Sequence, residues 1–109
     1  GEQTLSFPNS TSLNTLYLDG VWNFQSEFAE SKSTMAKIKF IYNAKNVYFV
    51  ASSDKGLIIK IFQDGALVKT ITIQDYALYN LIEETDYGQH SLDIEVDGPG
   101  LKAFTFTFG

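Results

Sequence analysis

Alternation of apolar and polar residues is the feature that most constrains the fold of this sequence. From Ala36 to Tyr42, AKIKFIY, every even position is apolar and lysines occupy two of the odd positions. A period of two is typical of a half-buried antiparallel strand, and a helix would not alternate in this way. The run Val47 to Ser52 is rich in β-branched and aromatic residues, and it follows the polar stretch Asn43 to Asn46. We therefore predict a hairpin with its turn at Asn43–Asn46.

Two further hairpins are predicted downstream. The dipeptide Asp64-Gly65 separates Leu57–Gln63 from Ala66–Ile73, and this dipeptide favours the type I′ turn because both of its residues tolerate positive φ. Ser91–Val96 alternates again, and Asp97–Gly100 is predicted to turn the chain back into a final strand.

The remaining segments are shorter or ambiguous. Short strand candidates near the start are Thr4–Phe7, Leu16–Leu18, Val21–Gln25 and Glu27–Glu30. Tyr76–Glu84 also fits a helical stripe, but its neighbours are strands and no clear N-cap precedes it, so we predict a strand. Many short strands separated by turns indicate a two-sheet antiparallel sandwich or a barrel. We favour an all-β sandwich that forms a single domain over residues 1–109.

Composition excludes several classes of function. The 109 residues carry a formal net charge of −5 and contain neither arginine nor cysteine. Nucleic-acid binding requires a basic surface, so no nucleic-acid partner is expected. Without cysteine the chain has no disulfide, no CxxC pair and no thiolate zinc site. No apolar stretch approaches the roughly 18 residues that span a bilayer, so no direct membrane insertion is expected.

No catalytic constellation is recognisable in the sequence. The single histidine, His90, has no partner at metal-binding spacing, and we interpret it as a hydrogen-bonded structural residue. Glu83, Glu84 and Asp86 form the densest acidic cluster, which could support a hydrolase or bind calcium, but adjacent acids in a polar segment are usually solvated. We predict that the domain is not an enzyme and that it has no catalytic residues, metal or cofactor.

Aromatic residues are the better candidates for binding, because a ring can stack on the apolar face of a sugar. The predicted ligand-binding residues are the tyrosines Tyr17, Tyr48, Tyr76, Tyr79 and Tyr87. Trp22 is expected to be buried. The closing rings Phe104, Phe106 and Phe108 alternate with small residues, so they share one face, and we predict that they seal the hydrophobic core rather than form a binding platform.

Five segments in their order resemble a known family. They are LYLDGVWNFQSE (Leu16–Glu27), AKIKFIYNAKNVYFVASS (Ala36–Ser53), IKIFQDG (Ile59–Gly65), ALYNLI (Ala77–Ile82) and HSLDIEVDGPGLKAFTFTFG (His90–Gly109). Together they are similar to the C-terminal domain that follows the thioredoxin-like domain in DipZ-type redox proteins. The most distinctive pieces are the Gly-x-Trp of Gly20–Trp22, the Asp-Gly hairpin, the Leu-Tyr of Leu78 and Tyr79, and the closing Phe-Thr-Phe-Gly of Phe106–Gly109.

The resemblance implies a jelly-roll β-sandwich, similar to carbohydrate-binding modules and galactose-binding-like domains. It also implies a non-catalytic accessory domain attached to an upstream thioredoxin-like module that carries the CxxC chemistry, in the periplasm or at the cell exterior. The domain is expected to recognise a carbohydrate or a protein substrate. The alternative is a structural domain that packs on the redox module or on a second copy of itself. A hydrolase built on Glu83 is a weaker third reading.

Overall fold

The computed structural model describes all residues from 1 to 109, and it contains eight β-strands and no helix. The strands are β1 Glu2–Leu5, β2 Tyr17–Phe24, β3 Ala29–Ser31, β4 Ala36–Ser52, β5 Leu57–Gln63, β6 Ala66–Ile73, β7 Ala77–Val96 and β8 Lys102–Phe108. They form one hydrogen-bonded sheet in the order β1-β2-β3-β8-β4-β7-β5-β6, and every pairing of neighbours is antiparallel. The predicted all-β antiparallel class is confirmed.

Strand β4 is continuous where a turn was predicted at Asn43–Asn46. The predicted hairpin is therefore wrong, because β4 runs for 17 residues and pairs with β7 from Ala36↔Val96 to Ala51↔Ala77. The pairing register shifts between Ala44 and Asn46. Even-numbered residues of β4 are buried up to Ala44, and odd-numbered residues are buried from Val47 onward. Between these pairs Lys45 of β4 has no partner, and four residues of β7, 84–87, lie opposite it, so a bulge that involves both strands accompanies this change of phase.

The bulge separates two halves of β4 that have different neighbours. The N-terminal half pairs with β2, through Tyr17↔Lys39 to Asp19↔Lys37, whereas the C-terminal half pairs with β8. Strand β2 also pairs with β3, and β3 pairs with β8. The strands β2, β3, β8 and β4 thus close a ring of hydrogen-bonded pairs, and the sheet folds over on itself.

The predicted third hairpin is also wrong, because β7 and β8 do not pair with each other. Strand β4 lies between them. The buried Ser31 of β3 directs this crossover: its amide donates to Leu101 O at 2.9 Å, and its Oγ accepts from Leu101 N at 3.0 Å. Gly100, with φ 108°, donates to Ser31 O at 2.8 Å. These hydrogen bonds draw the chain across to β3 instead of back along β7.

Several other predicted elements agree with the structure, but Leu16–Leu18 and Val21–Gln25, which were predicted as separate strands, belong to the single strand β2. Strands β5 and β6 form the Asp-Gly hairpin, with φ 51° at Asp64 and 84° at Gly65. Residues 77–84 belong to β7, so the strand reading of that segment is confirmed over the helical one. Trp22 is fully buried, and its Nε1 donates to Asp19 O at 2.9 Å.

One hydrophobic core lies between the folded layers. Its largest fully buried side chains include Trp22, Phe49, Ile59, Ile94 and Leu101. Phe40 of β4 and Phe106 of β8 contact each other with ring centroids 4.9 Å apart, although they are not register partners. This contact joins the two layers across the ring of strands. No helix in the structure is long and apolar enough to cross a membrane.

Candidate functional site

An open cleft of about 610 Å³ lies within the ring formed by β2, β3, β8 and β4. We call it the aromatic cleft. Eighteen residues from the segments 14–18, 24–29, 38–41 and 103–108 line it, all residues of these segments except Tyr17, Lys39 and Thr107, and twelve of the eighteen are hydrophobic. Ligand sites in proteins are usually concave, mostly apolar and of roughly 300–1,000 Å³. The aromatic cleft has the size and the chemistry of such a site.

The closing phenylalanines form one wall of the aromatic cleft. Phe106 stacks on the buried Phe49, with centroids 4.4 Å apart and ring planes 4° from parallel. The register pairs Phe108 with Val47 and Phe106 with Phe49, so these two rings share one face of β8, whereas Phe104 lies at a register shift between the Thr105 and Ala103 pairs. However, Phe104 and Phe106 are only half-buried, and Phe108 is 45% exposed. The prediction that they simply seal the core is wrong, because space remains between β8 and the layer opposite.

Two further rings, Tyr76 and Phe28, contact Phe104 and continue this wall to the surface. Tyr76, which is 67% exposed, meets Phe104 edge to face with centroids 4.9 Å apart. Phe28 lies 5.2 Å from Phe104 on a tilted ring plane. We call Tyr76, Phe104 and Phe28 the aromatic rim. The ammonium of Lys102 lies 5.6 Å from the Phe28 ring and 3.8 Å from Asp54, outside the cleft lining.

Five of the six polar lining residues lie in two connections, and the sixth, Thr105, lies on β8. Asn14 and Thr15 precede β2, and the Asn14 amide donates to Ile41 O at 2.8 Å, which holds this segment against β4. Gln25, Ser26 and Glu27 lie between β2 and β3, where Gln25 N donates to Phe28 O at 2.9 Å and closes the turn. Glu27 is the only charged residue in the lining. The polar edge therefore offers amides, hydroxyls and one carboxylate.

Of the five tyrosines predicted to bind a ligand, the structure brings Tyr76 to the rim of the cleft. Tyr17 lies between the lining residues Leu16 and Leu18, and its hydroxyl accepts a hydrogen bond from Ser12 N at 2.9 Å. This backbone hydrogen bond lowers the pKa of Tyr17. Tyr17 thus fixes the segment that forms one edge of the cleft, whereas Tyr76 contacts its aromatic wall directly.

The other three tyrosines lie elsewhere. Tyr79 braces the turn before β7, since its hydroxyl donates to Asp75 O at 2.7 Å and accepts from Gln74 N at 3.1 Å. Tyr48 pairs with Thr107 and alternates with the buried Val47 and Phe49, so it faces away from the core. Tyr87 is 67% exposed and lies 5.1 Å from the ammonium of Lys45. The five tyrosines do not form one cluster.

The titratable residues considered in the sequence lie outside the lining of the aromatic cleft; they are His90, Glu83, Glu84 and Asp86. His90 Nδ1 lies 2.5 Å from Asp64 Oδ2, and Asp64 Oδ1 accepts from Ser91 N at 2.9 Å. The hydrogen bond from His90 is the largest cause of a lowered pKa of Asp64, and the hydrogen bond from Ser91 is the second largest. This contact ties the β5–β6 hairpin to β7, in agreement with a structural role for His90. Glu83, Glu84 and Asp86 are exposed, and no group of three or more potential ligands could hold a metal ion.

Sequence reasoning missed the phenylalanines as the wall of a site. The alternation in β8 predicted that Phe104, Phe106 and Phe108 share a face, but it carries no information on the register shift at Phe104 or on what lies opposite. Phe28 lies in the predicted strand Glu27–Glu30, and that pattern carried no information that its ring would contact Phe104.

Solved structures with a similar fold include family two carbohydrate esterases. The esterase from Cellvibrio japonicus matches with a TM-score of 0.80 and 12% identity over 99% of this chain and 32% of that chain. The esterase from Clostridium thermocellum, solved in complex with cellohexaose, matches with a TM-score of 0.73 and 12% identity over 81% of this chain and 29% of that chain. At this identity the likeness shows the fold alone, a β-sandwich. The jelly-roll connectivity stays a prediction.

Two relatives by sequence carry the name Protein DipZ. The chain is 26% identical over 109 residues to Protein DipZ of Mycobacterium bovis and, equally, of Mycobacterium tuberculosis. These matches cover the whole chain but 15% of the length of each relative. They support an accessory, non-catalytic role for the domain itself, as predicted. The model of the thioredoxin-like C-terminal domain matches residues 1–109, and the chain therefore belongs to that family.

Proposed function

We propose that this domain recognises ligands on behalf of a thioredoxin-like redox module in the same protein, and that the aromatic cleft is the binding site. The redox module would lie upstream and carry the CxxC chemistry, in the periplasm or at the cell exterior. The observation that carries the proposal is the open cleft of about 610 Å³ with apolar walls and a polar edge. Its walls are preformed, because Phe106 is held between Phe49 and Phe40.

Two classes of ligand were predicted, a carbohydrate and a protein substrate. A carbohydrate would stack on the exposed rings of the aromatic rim, with hydroxyl groups directed to Gln25 and Ser26. One esterase of similar fold was solved with cellohexaose, which makes this sugar a suitable probe. A protein substrate would instead place apolar side chains in the cleft. Both classes would use the same walls.

Titration of the ¹⁵N-labelled domain with cellohexaose and with peptides tests the proposal. Amide shifts are expected to concentrate around β8 and residues 24–29. Tyr76→Ala and Tyr87→Ala form a matched pair, because both tyrosines are 67% exposed and only Tyr76 contacts the aromatic rim. Tyr76→Ala should weaken binding at the rim, and Tyr87→Ala should not. If neither probe shifts the cleft amides, the cleft is not a recognition site.

A structural docking role is the second candidate, and exposed apolar residues on β6 and β7 favour it. Leu67 and Val68 on the edge strand β6 are 53% and 49% exposed, and Leu78 on β7 is 56% exposed. Edge strands with apolar side chains are potential pairing surfaces. Light scattering of the domain with and without its redox module would test this role, with Leu67→Lys expected to abolish any association.

A further inference from the structure

The deepest part of the aromatic cleft contains no polar side chain. Ile38 is fully buried, Phe40 is 3% exposed, and Phe106 completes this floor. All six polar lining residues are exposed to solvent. A sugar inserted to the floor would bury hydroxyl groups without partners, at a cost of about 1–3 kcal/mol each. The floor therefore favours an apolar group over a saccharide.

The charged residues around the cleft further restrict the chemical class of the ligand. Glu27 is the only charged lining residue, no lysine lines the cleft, and the whole chain carries a net charge of −5 with no arginine. The nearby Lys102 is paired with Asp54 at 3.8 Å. A fatty acid would bring a carboxylate beside Glu27, and the nearby cation, Lys102, already contacts Asp54. A cationic group beside the apolar group would be attracted to Glu27.

The start of the chain lies next to the cleft. Gly1 N donates to Phe24 O at 2.8 Å, and Phe24 N donates to Gly1 O at 2.8 Å. Phe24 lines the cleft and precedes the connection that carries Glu27. Polypeptide that precedes Gly1 in a longer protein would leave the domain at this edge. A ligand held in the cleft would therefore lie close to the point where an upstream module is attached.

From the apolar floor, the acidic edge and the position of Gly1, we infer that the aromatic cleft binds an extended polypeptide segment. A bulky apolar side chain of the segment occupies the floor, and a neighbouring lysine or arginine lies at Glu27. The peptide backbone hydrogen-bonds to the side chains of Asn14 and Gln25. This inference rests on the proposed recognition function and specifies its ligand as the protein substrate of the redox module.

Four probes separate this ligand from the alternatives. The first is a nine-residue peptide with a central Leu-Phe-Leu flanked by lysines. The second has serine at the three apolar positions, the third has glutamate in place of lysine, and the fourth is cellohexaose. Binding is measured by ¹⁵N shifts and by calorimetry at low salt. The first peptide is expected to bind at least about tenfold more tightly than the other three probes.

Three variants test where on the surface the peptide binds. Leu16→Ser alters a cleft residue that is 49% exposed, and Leu67→Ser alters a β6 residue that is 53% exposed and lies outside the cleft. Leu16→Ser should weaken binding of the first peptide by about tenfold, and Leu67→Ser should leave it unchanged. Glu27→Gln should remove most of the preference for lysine over glutamate flanks. Circular dichroism of each variant is the control that tests whether it is folded.

Each result decides between the readings. Binding of cellohexaose in the cleft without binding of the peptide overturns the polypeptide inference and leaves the recognition function in place. Peptide binding that is lost in Leu67→Ser, but not in Leu16→Ser, moves the site to β6 and also overturns the inference. If no probe binds, both the inference and the recognition function fail.

Discussion

The two ends of the core are built from different side chains. Between β5, β7 and β4 the core is aliphatic, and Ile59, Ile61, Leu92, Ile94 and Val96 are all fully buried. Between β2, β4 and β8 it is aromatic, and it leaves the aromatic cleft open. Branched aliphatic side chains on neighbouring strands interdigitate to native packing density. Rigid rings that are stacked on one another cannot collapse into the remaining space, so the aromatic end keeps a cavity.

This difference suggests a division of work within one small domain. The aliphatic end supplies stability, and the aromatic end retains a surface that a ligand can use. Phe49 and Phe106 lie at the boundary, because one ring is fully buried and the other is half-buried although the two are stacked. Substitutions on either side of the boundary test the division.

The largest loss of stability is expected for Phe49→Ala. The ring is fully buried, and its removal would leave a cavity in the core and remove the stack with Phe106. We expect the free energy of unfolding to fall by about 3–5 kcal/mol, as measured by urea denaturation. A loss below about 1 kcal/mol would show that Phe49 does not lie at the boundary between the aliphatic end and the aromatic end of the core.

Gly20→Ala should destabilise the cleft end through the backbone. Gly20 has φ 102°, and an added Cβ would lie 2.9 Å from Ser33 Oγ and 3.1 Å from the Ala36 Cα. Strain and crowding together should cost about 2–3 kcal/mol. Gly65→Ala is the control, because Gly65 also has positive φ, 84°, but an added Cβ would meet nothing within 4 Å. Equal losses in the two variants would show that crowding against β4 contributes nothing.

Phe106→Ala should cost less than Phe49→Ala. The sequence alone predicts a loss of about 3–5 kcal/mol for a ring buried in the core. Because one side of Phe106 faces the aromatic cleft, we now expect about 2 kcal/mol, from a smaller change in buried apolar area. Urea denaturation of both single variants measures the difference. A loss equal to that of Phe49→Ala would indicate that the cleft is closed in solution.

The sequence was sufficient for the strand class and for one hairpin, but not for the pairing of long strands. The polar residues of Asn43–Asn46 interrupt the alternation. Such an interruption is typical of a turn and also of a bulge. The choice between them depends on β7, whose backbone continues to pair on both sides of the interruption. Similarly, Gly100 fits a hairpin turn, and only the distant Ser31 makes it a crossover.

The candidate site was less predictable than the fold for the same reason. Alternation assigns a ring to a face, but the space opposite that face depends on which strands close the ring. Tyr76 was identified because a tyrosine ring with its polar hydroxyl can stack on a sugar, whereas Phe28 and Phe104 were not, since apolar rings are normally assigned to the core. The cleft follows from tertiary closure of β2, β3, β8 and β4, which no local pattern encodes.

The smallest expected effect concerns the β5–β6 hairpin at the aliphatic end of the core, where Asp64 contacts His90 and Ser91. These hydrogen bonds lower the pKa of Asp64 in the folded state, so they stabilise the fold above the unfolded pKa of about 3.8. That stability is lost as the pH falls through the lower folded pKa. Asp64→Asn preserves a residue that tolerates the local φ of 51° but removes the charge. It should reduce stability at neutral pH by less than about 1 kcal/mol, since the carboxylate is half exposed. The difference from the wild-type domain should disappear as the pH falls below about 3.8, and a difference that stays constant down to pH 2 would show that the charge of Asp64 does not stabilise the hairpin.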